Sequence, residues 1–292
     1  MNDTQGRALL YGGAIALLAG IGAWWANTST DADVMTLLSS ADVQLRTAYA
    51  IPPVDHDGNR LETRDEMIAS AIVQLETVER IEPGLAVTAE FRGFAHMLEG
   101  EFTDAAQCYE RARACGDCAE EQHDILAFNE ARMWAQAGSR ERALAVFAKY
   151  GAALDERFGH QRILEEAAIL RELGRRDEAF ARLDTVVRDR AAPPMATLQA
   201  GREYLLLGSD RQAEDALESI RKEIPIADYH LAQLKLRQGE VDSSFELLTR
   251  ASQARPAEVR RMLRDEANVW SAVANDDRFQ ELSSLPAASP GR

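Results

Sequence analysis

The sequence is short of the groups that chemistry usually needs. Its 292 residues include five His and three Cys. No G-x-S-x-G, H-E-x-x-H, P-loop or G-x-G-x-x-G occurs. Elbow-type hydrolysis, zinc-helix proteolysis and phosphate-loop nucleotide binding therefore have no residues to carry them. None of His56, His96, His123, His160 and His230 sits in a recognisable triad or metal motif. Asp55-His56-Asp57-Gly58 lacks the rest of a calcium loop and its terminal Glu, and reads as a turn. Neither enzymatic activity nor a cofactor is expected. Positive charge is also in deficit: 33 Lys and Arg stand against 48 Asp and Glu, for a net charge of −15. That balance argues against general nucleic-acid binding and against docking on anionic lipid. Proline is sparse, at 9 residues, while the 46% apolar and 28% charged fractions are those of an ordinary folded chain.

One stretch has no charge of either sign. Residues 8–26, ALLYGGAIALLAGIGAWWA, would span roughly 29 Å as a helix, close to the hydrocarbon thickness of a bilayer. A cleaved signal peptide has a shorter apolar core and a small-x-small cleavage site. Here Trp24 would stand at the third position before a cut after Ala26, and no lipid-acceptor Cys is near. The expectation is an uncleaved, single-pass transmembrane anchor over 8–26, after a short segment 1–7. Trp24 and Trp25 suit the interface at its end. Arg7 precedes the span while Asp31 and Asp33 follow it. The positive-inside bias then places the N-terminus in the cytoplasm and the rest of the chain outside, in the periplasm of a Gram-negative cell. Gly12, Ala16 and Gly20 fall on one helical face with Ala19 and Ala23 alongside, which lets a second membrane helix approach closely.

The rest of the chain is periodic. From Ala86 as position 1, Gly93 stands at position 8, Gly100 at 15, Ala105 at 20 and Tyr109 at 24. Ala131, Gly138, Ala143 and Phe147 repeat that order, as do Ala167, Gly174, Ala179, Leu183 and then Gly201, Gly208, Ala213, Leu217. A shorter spacing leads to Ala232, Gly239, Ser244 and Leu248, and Ala71, Leu75, Val78 and Pro83 fit the end of an earlier unit. This pattern resembles the tetratricopeptide repeat (TPR), a 34-residue helix-turn-helix. The large aromatic often found at position 4 is absent and the spacing drifts. The resemblance covers residues 65–256, about five to six units. It implies an all-α, right-handed solenoid with a concave groove, and no chemistry. Residues 27–64 read as a linker, a capping helix and a Pro/Gly/Asp-rich loop, 257–283 as capping helices and 284–292 as a disordered tail.

In this family the groove is lined mainly by five positions of each first helix. Carried onto this sequence, they include Phe94, Phe128, Arg132, Leu164, Arg171, Leu198, Arg202, Tyr229 and Arg237. Arg132, Arg171, Arg202 and Arg237 would form a lane beside aromatic and aliphatic surface, suited to a peptide bearing carboxylates. Alternatively these arginines pair with Glu130, Glu166, Glu172 or Glu203 nearby, or the protein's own terminal helices cover the groove.

The three cysteines lie together at Cys108, Cys115 and Cys118, with His123 following. The repeat register puts Cys115-Gly-Asp-Cys118 in the connection between two units, beside a four-residue insertion. A thioredoxin-type C-x-x-C opens a helix after a strand, and haem attachment needs His where Ala119 stands. In an exported domain the leading expectation is a structural Cys115–Cys118 disulfide or inert thiols, ahead of a metal or redox site using Cys108 and His123. The sum is a membrane-anchored protein–protein interaction module, an accessory subunit or assembly scaffold of a membrane or periplasmic complex. The alternatives are an export chaperone or, further off, a Cys-based redox or metal protein.

Overall fold

Apolar residues recur along the chain at alternating four- and three-residue steps, and each such stripe is the buried face of a helix. In helix α1 (Ala32–Ala50) it is Val34, Leu38, Ala41, Leu45 and Ala48. In α2 (Glu62–Ile81) it is Ile68, Ala71, Leu75 and Val78, with Arg64 buried in line with them. The two stripes face each other, so the helix expected as a cap is the first arm of a hairpin. The computed structural model describes residues 32–54 and 59–284. The 8–26 span, with Gly12, Ala16, Ala19, Gly20 and Ala23, and the Asp55–Gly58 turn lie outside them. Among the described residues no helix is long and apolar enough to cross a membrane.

The hairpins continue as α3 (Ala86–Glu99) with α4 (Phe102–Ala114), α5 (His123–Gln136) with α6 (Arg140–Phe158), and α7 (His160–Glu172) with α8 (Arg176–Arg188). They go on as α9 (Pro194–Leu206) with α10 (Asp210–Ile220), and α11 (Ala227–Arg237) with α12 (Val241–Ala254). Helices α13 (Pro256–Asp265) and α14 (Asp277–Ser284) close the described chain. This is an all-α, TPR-like helical-repeat fold. The chain divides after residue 162 into two compact units. In the first, α1 to α3 share a core of Leu38, Leu45, Ile68, Leu75, Phe91 and Phe94. In the second, α11 and α12 share one with Val259, Leu263, Trp270 and Leu282 of the C-terminal segment. Each large side chain so buried contributes about 1.5–3 kcal/mol.

Two features make the hairpins tight. The five turn glycines expected from the repeat all take positive φ, between 71° and 82°. At Gly100 the backbone N–H bonds Met97 O at 3.2 Å and the next N–H, of Glu101, bonds His96 O at 2.9 Å, the Schellman end that only glycine enters without strain. The same closing bond recurs from Ser139 to Trp134, Arg175 to Leu170, Ser209 to Tyr204 and Glu240 to Lys235. Further in, the arms nearly touch: a Cβ on Gly201 would lie 2.8 Å from Cγ and Cδ2 of Leu217, which is fully buried.

Gly201→Ala is therefore expected to destabilise the protein by about 1–3 kcal/mol through overpacking. Gly151, inside α6, has nothing within 4 Å of its would-be Cβ. Gly151→Ala should stabilise by about 0.5–1 kcal/mol, since it only removes freedom from the unfolded chain. Urea denaturation of the two variants measures both signs.

Candidate functional site

The groove positions split into buried and presented residues. In the first unit Phe94 is buried with its ring 5.9 Å from that of Tyr49 on α1. Phe128 is fully buried, stacked 4.2 Å from Phe158 and set against Phe147. Arg132 is buried too, its guanidinium 5.7 Å above the Phe128 ring. Glu90, one turn before Phe94 on α3, is buried beside Asp42 and Arg46 of α1; burial, then Asp42, lifts its carboxyl to about 7. The protein's own side chains thus fill the first unit's share of the expected lining.

In the second unit Leu164, Leu198 and Tyr229 are core residues. Tyr229 Oη donates to Glu266 Oε2 at 3.0 Å and accepts from Trp270 Nε1 at 3.1 Å, so the C-terminal segment covers it. Arg171 pairs with Glu203 of α9 at 2.8 Å. Arg237 pairs with Asp210 and donates to Leu205 O at 2.9 Å. The lane of four thus becomes two structural ion pairs, one buried cation and Arg202. Arg202 is half-buried and forms no hydrogen bond or ion pair among the described residues. On its helix, α9, Met195, Gln199, Arg202 and Leu206 follow at steps of four, three and four, one face of the helix. Met195 is 50% exposed and Leu206 60%, among the most exposed large apolar side chains of the described chain. The face that the expected lining holds open is therefore narrow: an apolar pair around one uncompensated guanidinium.

Arg202 also acts inward. His230 on α11 is buried, and desolvation, then the charge of Arg202, push its pKa down to about 3 against the pull of its bond to Gln233.

The cysteine stretch takes its place at a joint. Cys115 ends α4, and Cys118 N–H bonds Cys115 O at 3.2 Å across a tight turn. A 3-10 turn over Glu120–Gln122 then leads into α5. All three cysteines are free thiols, with no bridge between Cys115 and Cys118. Cys115 Sγ instead donates back to Arg111 O at 3.3 Å, and Cys118 Sγ to Ala119 O at 3.7 Å. These cysteines and His123 do not converge as metal ligands; the one such group among the described residues is His96, Glu99 and Glu101. The side chain that matters in this loop is Asp117, which sequence reasoning passed over. Both its carboxylate oxygens accept the Ala86 N–H at 3.1 Å, capping α3 from thirty-one residues away. At the other end of α3, buried Arg64 donates to Leu98 O at 2.7 Å. Only the fold brings those partners together, so no local sequence signal marked them.

Two measurements follow. Burial, then nearby carboxylates led by Glu90, push the Cys118 thiol up to about 11, and burial also raises Cys115. Two units above an ordinary thiol is roughly 100-fold less thiolate at neutral pH. Native Cys118 should react with a disulfide reagent far more slowly than free cysteine, and denaturation should release three thiols; one would mean a bridge. His230 supplies the second. Below its unfolded value of 6.5 the unfolded chain binds a proton that the folded chain refuses until about 3. Stability is therefore present above 6.5 and lost as pH falls toward 3, by up to about 1.4 kcal/mol per pH unit. His230→Gln should lose about 1–2 kcal/mol less than the parent between pH 7 and 5, read from urea midpoints.

No protein-family model matches this chain, and no curated protein matches it. Solved structures do, at the level of fold. PilW, a widely conserved type IV pilus biogenesis factor, aligns over 83% of this chain and 97% of its own, with 11% identity and a TM-score of 0.53. The apo form of the quorum sensor NprR from B. thuringiensis aligns over 96% of this chain and 86% of its own, with 12% identity and a TM-score of 0.50. Both are TPR-like helical-repeat proteins, and what this chain shares with them is that repeat architecture.

Proposed function

We propose that this protein is a membrane-anchored interaction module, an accessory subunit or assembly scaffold of a membrane or periplasmic complex. The observation that carries the binding role is the α9 face. Arg202, without a partner among the described residues, stands between the exposed side chains of Met195 and Leu206. A half-buried guanidinium without a carboxylate is a costly arrangement for a folded chain in isolation, and an incoming carboxylate relieves it by a charge-assisted, bidentate bond. The flanking apolar chains supply burial on either side. The ligand that fits is a segment with one acidic group between two apolar side chains. Of the other arginines in the expected lane, Arg171 and Arg237 already hold Glu203 and Asp210 and Arg132 is buried over Phe128, so Arg202 is the anchor.

Anchoring rests on the uncharged run 8–26 and on Arg7 before it, which direct the repeat domain to the far side of the membrane. A helical-repeat surface held there meets its partner at raised effective concentration.

The full-length protein, extracted from its native membrane in mild detergent, should retain a stoichiometric partner. Arg202→Glu should release it, with affinity falling at least about tenfold, while circular dichroism stays unchanged. Recovery of the protein alone and monomeric under several gentle detergents would sink the subunit reading. A shifting set of substoichiometric clients would point to a chaperone instead.

A further inference from the structure

One group of candidate metal ligands, the only such group among the described residues, lies at the end of α3 in the first unit. His96 Nδ1 lies 2.7 Å from Glu101 Oε2 and 4.0 Å from Glu99 Oε2. One donor atom from each residue falls within 4.8 Å of the others. Three such atoms around a zinc-sized cation would be separated by roughly 3.4 Å, so small rotations suffice to close on one. The backbone fixes the arrangement. His96 and Glu99 lie in the last turn of α3, and the Schellman end at Gly100 folds Glu101 back over them. The carbonyl end of a helix adds its own partial negative charge there. Neither Glu99 nor Glu101 forms an ion pair with Lys or Arg among the described residues, whereas Asp65 close by is already held by Arg60 and Arg64.

An internal comparison says what belongs among these oxygens. Counted in repeat register, His96, Glu99 and Glu101 correspond to Lys235, Gln238 and Glu240 at the end of α11. There the same Schellman bond joins Glu240 N to Lys235 O. The Lys235 ammonium sits among Gln238 Oε1 at 3.1 Å, Glu240 Oε1 at 3.4 Å and Glu214 Oε1 at 2.9 Å. One repeat thus carries a covalently attached cation in this pocket of oxygens. The other has an imidazole in place of the lysine and a second carboxylate in place of the amide, side chains that ligate a metal where the α11 repeat has an ammonium. The remaining repeats have Trp134, Ala137 and Ser139, or Leu170, Leu173 and Arg175, or Tyr204, Leu207 and Ser209 at these positions, so the fold does not demand the donors.

We propose that His96, Glu99 and Glu101 bind a divalent transition-metal cation of the zinc class, which clamps the turn between α3 and α4. One imidazole and two carboxylates suit Zn²⁺ and leave a position open to water or to a donor from a partner. Magnesium, which keeps its waters and prefers oxygen alone, fits less well.

The test uses the full-length protein in detergent after dialysis against a chelator. Calorimetric titration with Zn²⁺ alone should show about one equivalent bound, and Zn²⁺ should raise the melting temperature. Glu101→Gln should weaken binding at least about tenfold. His96→Lys rebuilds the Lys235 arrangement, so it should fold, lose zinc binding and melt independently of zinc. A Cys115→Ser, Cys118→Ser double variant should bind as the parent does. Failure of the parent to bind, equal binding by His96→Lys, or loss of binding in the double cysteine variant would each overturn the assignment.

Discussion

Everything in this protein depends on how closely two antiparallel helices can lie. The repeat works because one arm of each hairpin carries almost no side chain where the other carries a plug. Gly93 lies against the ring of Tyr109, and Gly201 against Leu217 at a distance where even a methyl group does not fit. Close approach turns weak dispersion contacts into a continuous core and fixes the direction in which every other side chain points. In the five hairpins after the first, a glycine at positive φ lets the chain reverse within a few residues so that the arms start in register. A binding face on a first helix then comes from residues that this packing leaves over.

What is left over is little. Phe94, Phe128, Leu164, Leu198 and Tyr229 all belong to the interior, because a large apolar side chain beside a close-packed hairpin finds more to bury against than solvent offers. Arg171 and Arg237 are held by carboxylates of neighbouring helices. Arg202 differs, with no hydrogen bond or ion pair among the described residues. Its charge helps keep His230 neutral inside the protein.

The joint after α4 shows a similar economy. The Cys-Gly-Asp-Cys loop attracts notice for its sulfur, yet its thiols point to local backbone carbonyls and are pushed toward the unreactive, protonated form. Its aspartate holds the first N–H of α3. Arg64 holds a carbonyl near the other end of that helix, so α3 is pinned by opposite charges at opposite poles of its dipole. The His96 cluster sits at the same carbonyl pole, where negative charge from backbone and side chains accumulates together.

The sequence by itself determined the five hairpins with a glycine turn, the pairing of their helices and the turns between them. Those features rest on residues that act locally: apolar stripes at helical period, glycines at the turn, and small residues opposite a plug, all within one repeat length. Even the place of the cysteines between two units followed from counting. Only the tertiary structure decided which groove positions face water, because exposure depends on what neighbouring hairpins and the C-terminal segment lay over each one. It alone decided that Arg171 takes Glu203 while Arg202 has no partner among the described residues, that Asp117 caps a helix thirty-one residues earlier, and that His96, Glu99 and Glu101 converge while the cysteines do not. Periodicity marks a face of a helix. Partnership between charges depends on distances of a few ångströms, which exist only once the helices have packed.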